Sequence, residues 1–234
     1  MFEWDLKKAE WYDRALENSQ YTAVFLPIIT QLVRGAETAL DVCAGVGAFT
    51  LPLARLVPSV TAIDCSDVAI QYLQIRAKRH GLSNITCLKV AWEDFKGGPF
   101  DVILAAYPAD CVVGSVEALS RLHRMALKAV ALILPVTRKQ TDPPSRRVVA
   151  EDVRGYLGDL GIEPSTAVFE YDFGQPFLSR SEAREFVEAY AGKSSSSGPA
   201  LEEWLNRSLV QRAQGFYLPI KRKSAMVWWK ARPT

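Results

Sequence analysis

The chain has few of the residues that build metal and redox sites. Its 234 residues include four cysteines and two histidines. Cys43, Cys65, Cys87 and Cys111 are spread along the strand-helix pattern with no C-x-x-C pair among them, so neither a zinc site nor a dithiol motif is expected, and no metal. The cysteines read as small apolar side chains at strand ends in a reducing compartment. Long apolar runs are also missing: proline and charge interrupt each one short of the roughly 18 residues that a membrane span needs. The start, Met1-Phe2-Glu3-Trp4-Asp5, has no basic region leading into an apolar stretch; no signal peptide is expected, and the expected location is cytoplasmic. Charge is nearly balanced, with 28 Lys and Arg against 26 Asp and Glu, which excludes a broad basic field for nucleic acid. The basic patches Arg138-Lys139, Arg146-Arg147 and Lys221-Arg222-Lys223 are small and read as solvated surface.

What is present is an ordinary globular balance, 49% hydrophobic and 23% charged, with no internal repeat. Residues 5–33 carry helical periodicity and form an N-terminal helical cap, 1–36. From residue 38 strands alternate with helices, the pattern of a parallel sheet covered on both faces. Strands are predicted at 38–42, 60–63, 85–90, 100–105 and 129–134, with helices at 67–80 and 116–128. After Pro135 a polar loop is expected at 137–145, then a helix at 146–160, a strand at 166–173, helices at 181–191 and 199–214, and a last strand at 225–230. The serines of 193–198 read as a flexible joint. The domain 37–234 thus carries an insertion at about 174–222.

The stretch Ala39-Leu40-Asp41-Val42-Cys43-Ala44-Gly45-Val46-Gly47-Ala48-Phe49-Thr50 organises this pattern. It is a short strand with an acid, a glycine turn, and the start of a helix. Glycine allows a close backbone approach to a ligand, and a helix start offers unpaired N–H groups. Asp64 ends the second strand, where an acid accepts hydrogen bonds from ribose hydroxyls, as suits NAD and S-adenosylmethionine equally. The dinucleotide fingerprint G-x-G-x-x-G needs glycine at position 50, where Thr50 stands.

These residues resemble the first motif of the class I, Rossmann-like S-adenosylmethionine-dependent methyltransferases. Asp41 stands at the family's acid, and Cys43, Gly45 and Gly47 at its three small positions, cysteine replacing the first glycine. Asp64 matches the ribose-binding acid, and Ala91-Trp92-Glu93-Asp94-Phe95 the loop beside adenine. Where the family often has an acid for the adenine amino group, this chain has Ala91; Trp92 stacking on adenine, or Glu93 or Asp94 in a slipped register, are the alternatives. The resemblance covers about residues 37–134. It implies an α/β three-layer αβα fold with sheet order 3-2-1-4-5-7-6 and strand seven antiparallel. It also implies S-adenosylmethionine as cofactor, leaving as S-adenosylhomocysteine, bound by Asp41, Cys43, Ala44, Gly45, Gly47, Asp64, Cys65, Ala91, Trp92, Glu93 and Ala105.

On that arrangement the fourth strand ends where the methyl group points, at Ala105-Ala106-Tyr107-Pro108-Ala109-Asp110. Methyl transfer needs chiefly in-line positioning; where the acceptor must lose a proton, Tyr107 and Asp110 are the catalytic candidates. The segment lacks the Asn/Asp-Pro-Pro-Tyr/Phe pattern used on adenine or glutamine nitrogens. His80 and His123, at a helix end and on a basic helix face, read as structural. Tyr12, Tyr21 and Tyr107, with Tyr171 and Phe173, are candidates to line an acceptor pocket. The leading reading is methyl transfer to a small molecule. RNA methylation is the alternative, although 234 residues leave no room for an appended RNA-binding domain; a non-catalytic cofactor-binding module is the third.

Overall fold

The computed structural model describes residues 3–137, 147–191 and 198–231. Most of the expected 137–145 loop and 193–198 joint, and the basic residues Arg138, Lys139 and Arg146, lie outside the described residues. In chain order the elements are α1 (Leu6–Glu17), α2 (Tyr21–Leu32), β1 (Thr38–Val42), α3 (Thr50–Ala54), β2 (Ser59–Asp64), α4 (Asp67–Arg79) and β3 (Ile85–Lys89). They continue with β4 (Phe100–Ala106), α5 (Asp110–Val113), α6 (Val116–Met125), β5 (Ala126–Pro135), α7 (Ala150–Asp159) and β6 (Ser165–Asp172). The last are β7 (Gln175–Phe177), α8 (Arg180–Ala191), α9 (Pro199–Ser208), β8 (Val210–Arg212), β9 (Gly215–Leu218) and β10 (Lys221–Lys230).

Two of these differ from the sequence reading in an instructive way. The helix expected to reach residue 128 stops at Met125, because Ala126 pairs with Phe100 and the chain is drawn into the sheet; ladder bonds outweigh the helix preference of Leu127 and Lys128. The helix expected to reach Gln214 stops at Ser208, and 210–218 form a hairpin instead. Val210, Phe216 and Tyr217 suit strands. Gly215, at φ +93, makes the close approach: a Cβ there would lie 2.1 Å from the Phe177 carbonyl oxygen.

The chain divides into two compact units, one of Met1–Ala9, Thr22–Glu170 and Lys223–Thr234, the other of Glu10–Tyr21 and Tyr171–Arg222. Residues of the expected 1–36 cap are thus shared between them. The first unit holds a seven-stranded sheet in the order β3-β2-β1-β4-β5-β10-β6. The β2–β3, β1–β2, β1–β4 and β4–β5 pairs are parallel, and β10 runs antiparallel to β5. This is the 3-2-1-4-5-7-6 order expected from the sequence, with β10 as its seventh strand.

Successive strand residues point to opposite faces, and the core follows that period. Leu40, Val42, Ile103, Ala105, Val130 and Leu132 pack with Leu119 and Leu122 of α6 and with Val153 and Leu157 of α7. Ala62 instead packs with Leu51 of α3 and Leu73 of α4. Helices therefore flank the sheet. Among the described residues no helix is long and apolar enough to cross a membrane.

The second unit holds a three-stranded sheet, β7-β9-β8, over which Phe177, Ala183, Leu201, Leu205 and Leu218 form a small core. The Trp11 indole N–H donates to Glu182 Oε1 at 3.0 Å, and Arg14 pairs with the same carboxylate.

Candidate functional site

Strand register decides what meets at the carboxyl edge of the sheet. Val42 lies opposite Ile63 of β2 and opposite Ala105 of β4, and Ile63 lies opposite Leu88 of β3. The chain therefore leaves β1, β2, β3 and β4 at one level, and the segments that follow emerge side by side, the usual place for a ligand in such sheets.

Asp64 ties two of those segments together. Its Oδ2 accepts from the Gly45 N–H at 2.9 Å and its Oδ1 from the Ser66 N–H at 2.9 Å. The Ala44 N–H reaches back to the Ile63 carbonyl at 3.0 Å. Ser66 then caps α4 by accepting from the Ala69 N–H. Burial pushes the Asp64 carboxyl up, and the N–H groups of Ser66 and Gly45 act against that. From the other side Arg76, buried on α4, donates to the Val46 carbonyl at 2.7 Å. The loop is thus fixed by side chains at both ends. α3 has only five residues and no side-chain cap, and the N–H groups of Ala44, Gly45 and Gly47 are satisfied within the protein by the Ile63 carbonyl, Asp64 and the Ala44 carbonyl.

The glycines of the loop have separate jobs. Gly47, at φ +84, is a packing glycine: a Cβ there would lie 2.2 Å from Leu73 Cδ1. Gly45, at φ +54, faces Trp4, whose Cζ2 would lie 3.1 Å from an added Cβ. Behind them Asp41 is 2% exposed and accepts from the Thr50 hydroxyl at 2.6 Å. Burial, against the Thr50 bond and with the Asp64 charge nearby, pushes the Asp41 carboxyl up to about 7. Thr50, which breaks the dinucleotide fingerprint, is therefore the partner of the acid at 41.

Cys43 takes the first small position at φ +57, a left-handed conformation that costs a side-chain-bearing residue about 1–2 kcal/mol. Burial pushes its thiol up to about 12, and the Ala109 N–H donates to it, so it is neutral at physiological pH and joins the β1 loop to the segment after β4. Both Cys43→Gly and Cys43→Ala remove the thiol, but only glycine accepts this backbone without strain. Cys43→Gly is expected to be the more stable of the two by about 1 kcal/mol, as read by urea unfolding; equal midpoints would show that no strain is held there.

On the β3 side, Trp92 is 4% exposed and belongs to the core, with the Arg121 guanidinium 4.0 Å from its ring centroid. That ring is packed in the core, whereas Glu93 of the same loop is exposed. The Glu93 carboxyl lies below its usual range, held by its own N–H, by the Cys111 thiol and by the Arg121 charge. Cys65 is exposed beside Asp64, and burial is the first cause pushing its thiol up. Ala44 and Ala105 are buried.

At the end of β4, Tyr107 has φ +51 and its N–H donates to the Ile133 carbonyl at 2.7 Å. Its hydroxyl is hydrogen-bonded to Ser224 of β10, and the Arg147 guanidinium stands 5.1 Å from its ring centroid. Asp110 Oδ1 accepts from the Val148 N–H at 3.3 Å. Tyr107 and Asp110 are therefore neighbours of one segment, as expected from sequence. His123 Nδ1 accepts from the Trp229 indole N–H at 3.2 Å, and His80 ends α4. Tyr12, Tyr21, Tyr171 and Phe173 gather in the second unit, Tyr21 stacking on Tyr171 at 5.2 Å and Tyr12 meeting Phe173 at 5.4 Å; Tyr107 belongs to the first.

Sequence reasoning passed over Arg76 and Ser224, and took Trp4 only as one of the N-terminal aromatics, with Trp11, Tyr12 and Tyr21, that form either a lid over a ligand or packing onto the sheet. Arg76 had a signal: it stands at helical spacing from Tyr72 and Leu73, a cation on an apolar face. Ser224 had none, since its partner Tyr107 lies far away in the chain.

Comparisons with known proteins place this geometry. A family model described as a methyltransferase domain matches residues 34–152. A search of curated proteins returns no match. Among solved structures, the chain is similar to precorrin 8w decarboxylase of Methanobacterium thermoautotrophicum, at 17% identity over 86% of this chain and 87% of that one, TM-score 0.53. Magnesium protoporphyrin IX methyltransferase of Synechocystis, solved with bound SAM, is similar at 15% identity over 88% and 79%, TM-score 0.50. Precorrin-6y C5,15-methyltransferase of Geobacter metallireducens is similar at 12% identity over 87% and 87%, TM-score 0.51. At these identities the likeness is one of fold.

Proposed function

The chain belongs to the methyltransferase-domain family, and on that premise we propose that it transfers a methyl group from S-adenosylmethionine to a small-molecule acceptor at the end of β4. The observation that carries this reading is the clasp of Asp64 on the Gly45 and Ser66 N–H groups. An ionised carboxylate has about four lone-pair sites. The two backbone bonds leave two for ribose hydroxyls, so the residues fit the cofactor. The glycine loop then lies beneath the rest of the ligand, and Glu93 with the 91–92 backbone borders the adenine.

The cofactor brings a methyl group already activated on a sulfonium, so the protein has chiefly to hold donor and acceptor in line. Tyr107 is suited to positioning: its phenol is fixed by Ser224 and its backbone by Ile133. Asp110, on the same segment, is the carboxylate we assign to accept a proton from the acceptor. Support for a small acceptor comes from the solved relatives, named for magnesium protoporphyrin IX and for precorrins. None of the four cysteines is in a disulfide, which suits a reducing, cytoplasmic setting.

Calorimetric titration with S-adenosylmethionine and S-adenosylhomocysteine tests the reading, and binding of both is expected. Radiolabelled methyl from the cofactor should then appear in a small-molecule fraction and not in bulk tRNA. Labelled tRNA would replace the acceptor class, and no binding of either cofactor form would remove the enzyme reading.

A further inference from the structure

We propose that Trp4 is a cofactor-binding residue whose indole faces the sulfonium end of S-adenosylmethionine, an inference that rests on the cofactor reading above. Glu3, Asp5, Leu6 and Lys7 are exposed, whereas Trp4 between them is turned in and half-buried. Its position is fixed by the start of α1. Asp5 Oδ1 accepts from the Lys8 N–H at 2.8 Å, the Asp5 carbonyl from the Ala9 N–H at 3.0 Å, and Lys8 Nζ donates to the Glu3 carbonyl at 3.0 Å. The segment that carries Trp4 is thereby held as a cap on the helix.

What Trp4 meets is the cofactor loop. A Cβ at Gly45 would lie 3.1 Å from Trp4 Cζ2, 3.7 Å from Cε2 and 3.8 Å from Nε1, so that edge of the indole rests on the glycine whose N–H is clasped by Asp64. The sheet order then says which part of the ligand lies there. Ribose is held by Asp64 at the end of β2, the methyl group is delivered at the end of β4, and β1 stands between them. The sulfonium must therefore pass over the segment leaving β1, which is the segment Trp4 covers. An indole attracts a cation more than a neutral thioether, so Trp4 favours the donor over its spent product. Trp92, at the same edge of the sheet, cannot serve this way, because it is buried with Arg121 on its ring.

The test is calorimetry on the full chain, comparing wild type, Trp4→Phe and Trp4→Leu with S-adenosylmethionine and S-adenosylhomocysteine, each variant first shown to melt as wild type does. Trp4→Leu, which keeps an apolar side chain and removes the ring, is expected to weaken S-adenosylmethionine about tenfold and S-adenosylhomocysteine by clearly less, with Trp4→Phe in between for the sulfonium. Wild-type affinity in Trp4→Leu, or an equal loss for both ligands, overturns the proposal while leaving the methyltransferase reading intact. A wild-type protein that binds neither ligand would remove the reading beneath it, and this inference with it.

Discussion

Asp64→Ala is expected to weaken S-adenosylmethionine binding by at least about a hundredfold. A hydrogen bond to a charged group contributes about 1.5–3 kcal/mol, and two ribose hydroxyls would lose such an acceptor. The structure adds a second loss. The Gly45 and Ser66 N–H groups are both satisfied by this one carboxylate, and leaving a buried N–H without a partner costs about 1–3 kcal/mol. The glycine loop would therefore be deprived of its anchor in the same substitution. Calorimetry reads the affinity, and circular dichroism establishes that the variant is folded. Asp64→Asn, which keeps one acceptor oxygen, should fall between the two. Wild-type affinity in Asp64→Ala would show that the ribose is held by another group.

Asp41→Asn is expected to stabilise the protein at alkaline pH and to flatten its pH dependence. The Asp41 carboxyl is pushed up to about 7 from 3.8, so between those values the folded state holds a proton that the unfolded state has released. Stability from this group is complete below about pH 4 and falls as pH rises through about 7, after which the fold contains a buried charge. Asparagine still accepts from Thr50 and never ionises. The variant should be more stable than wild type by about 4 kcal/mol at pH 8, with little difference at pH 4. Urea midpoints of both proteins at the two pH values check it, and parallel behaviour would show that Asp41 carries its charge in the fold without cost. The comparison isolates this residue, since every other shifted group is common to both proteins.

Most of the frame was legible before any coordinates. The alternation of strand and helix from residue 38, the acid at 41, the glycines at 45 and 47 and the acid at 64 are local patterns, and each reports a local requirement of backbone or burial. What was not legible were short elements and distant partners. The strands 175–177, 210–212 and 215–218 are too brief to show a period, and they exist because they pair with one another. The candidate pocket aromatics look alike in sequence, yet Tyr12, Tyr21, Tyr171 and Phe173 gather in one unit and Tyr107 in the other. Stacking by Trp92 was one alternative raised by Ala91 standing where the family often has an acid; the structure packs the Trp92 ring into the core.

The sequence by itself determined the family, the sheet and the strand-turn-helix loop of residues 41–50, because these depend on residue type at fixed spacing. Only the tertiary structure decided what each loop residue does. It gave Asp41 to Thr50, Asp64 to the Gly45 and Ser66 amides, Gly47 to Leu73 and Gly45 to Trp4. Those pairings are matters of distance between segments far apart in the chain, and no local pattern encodes a distance.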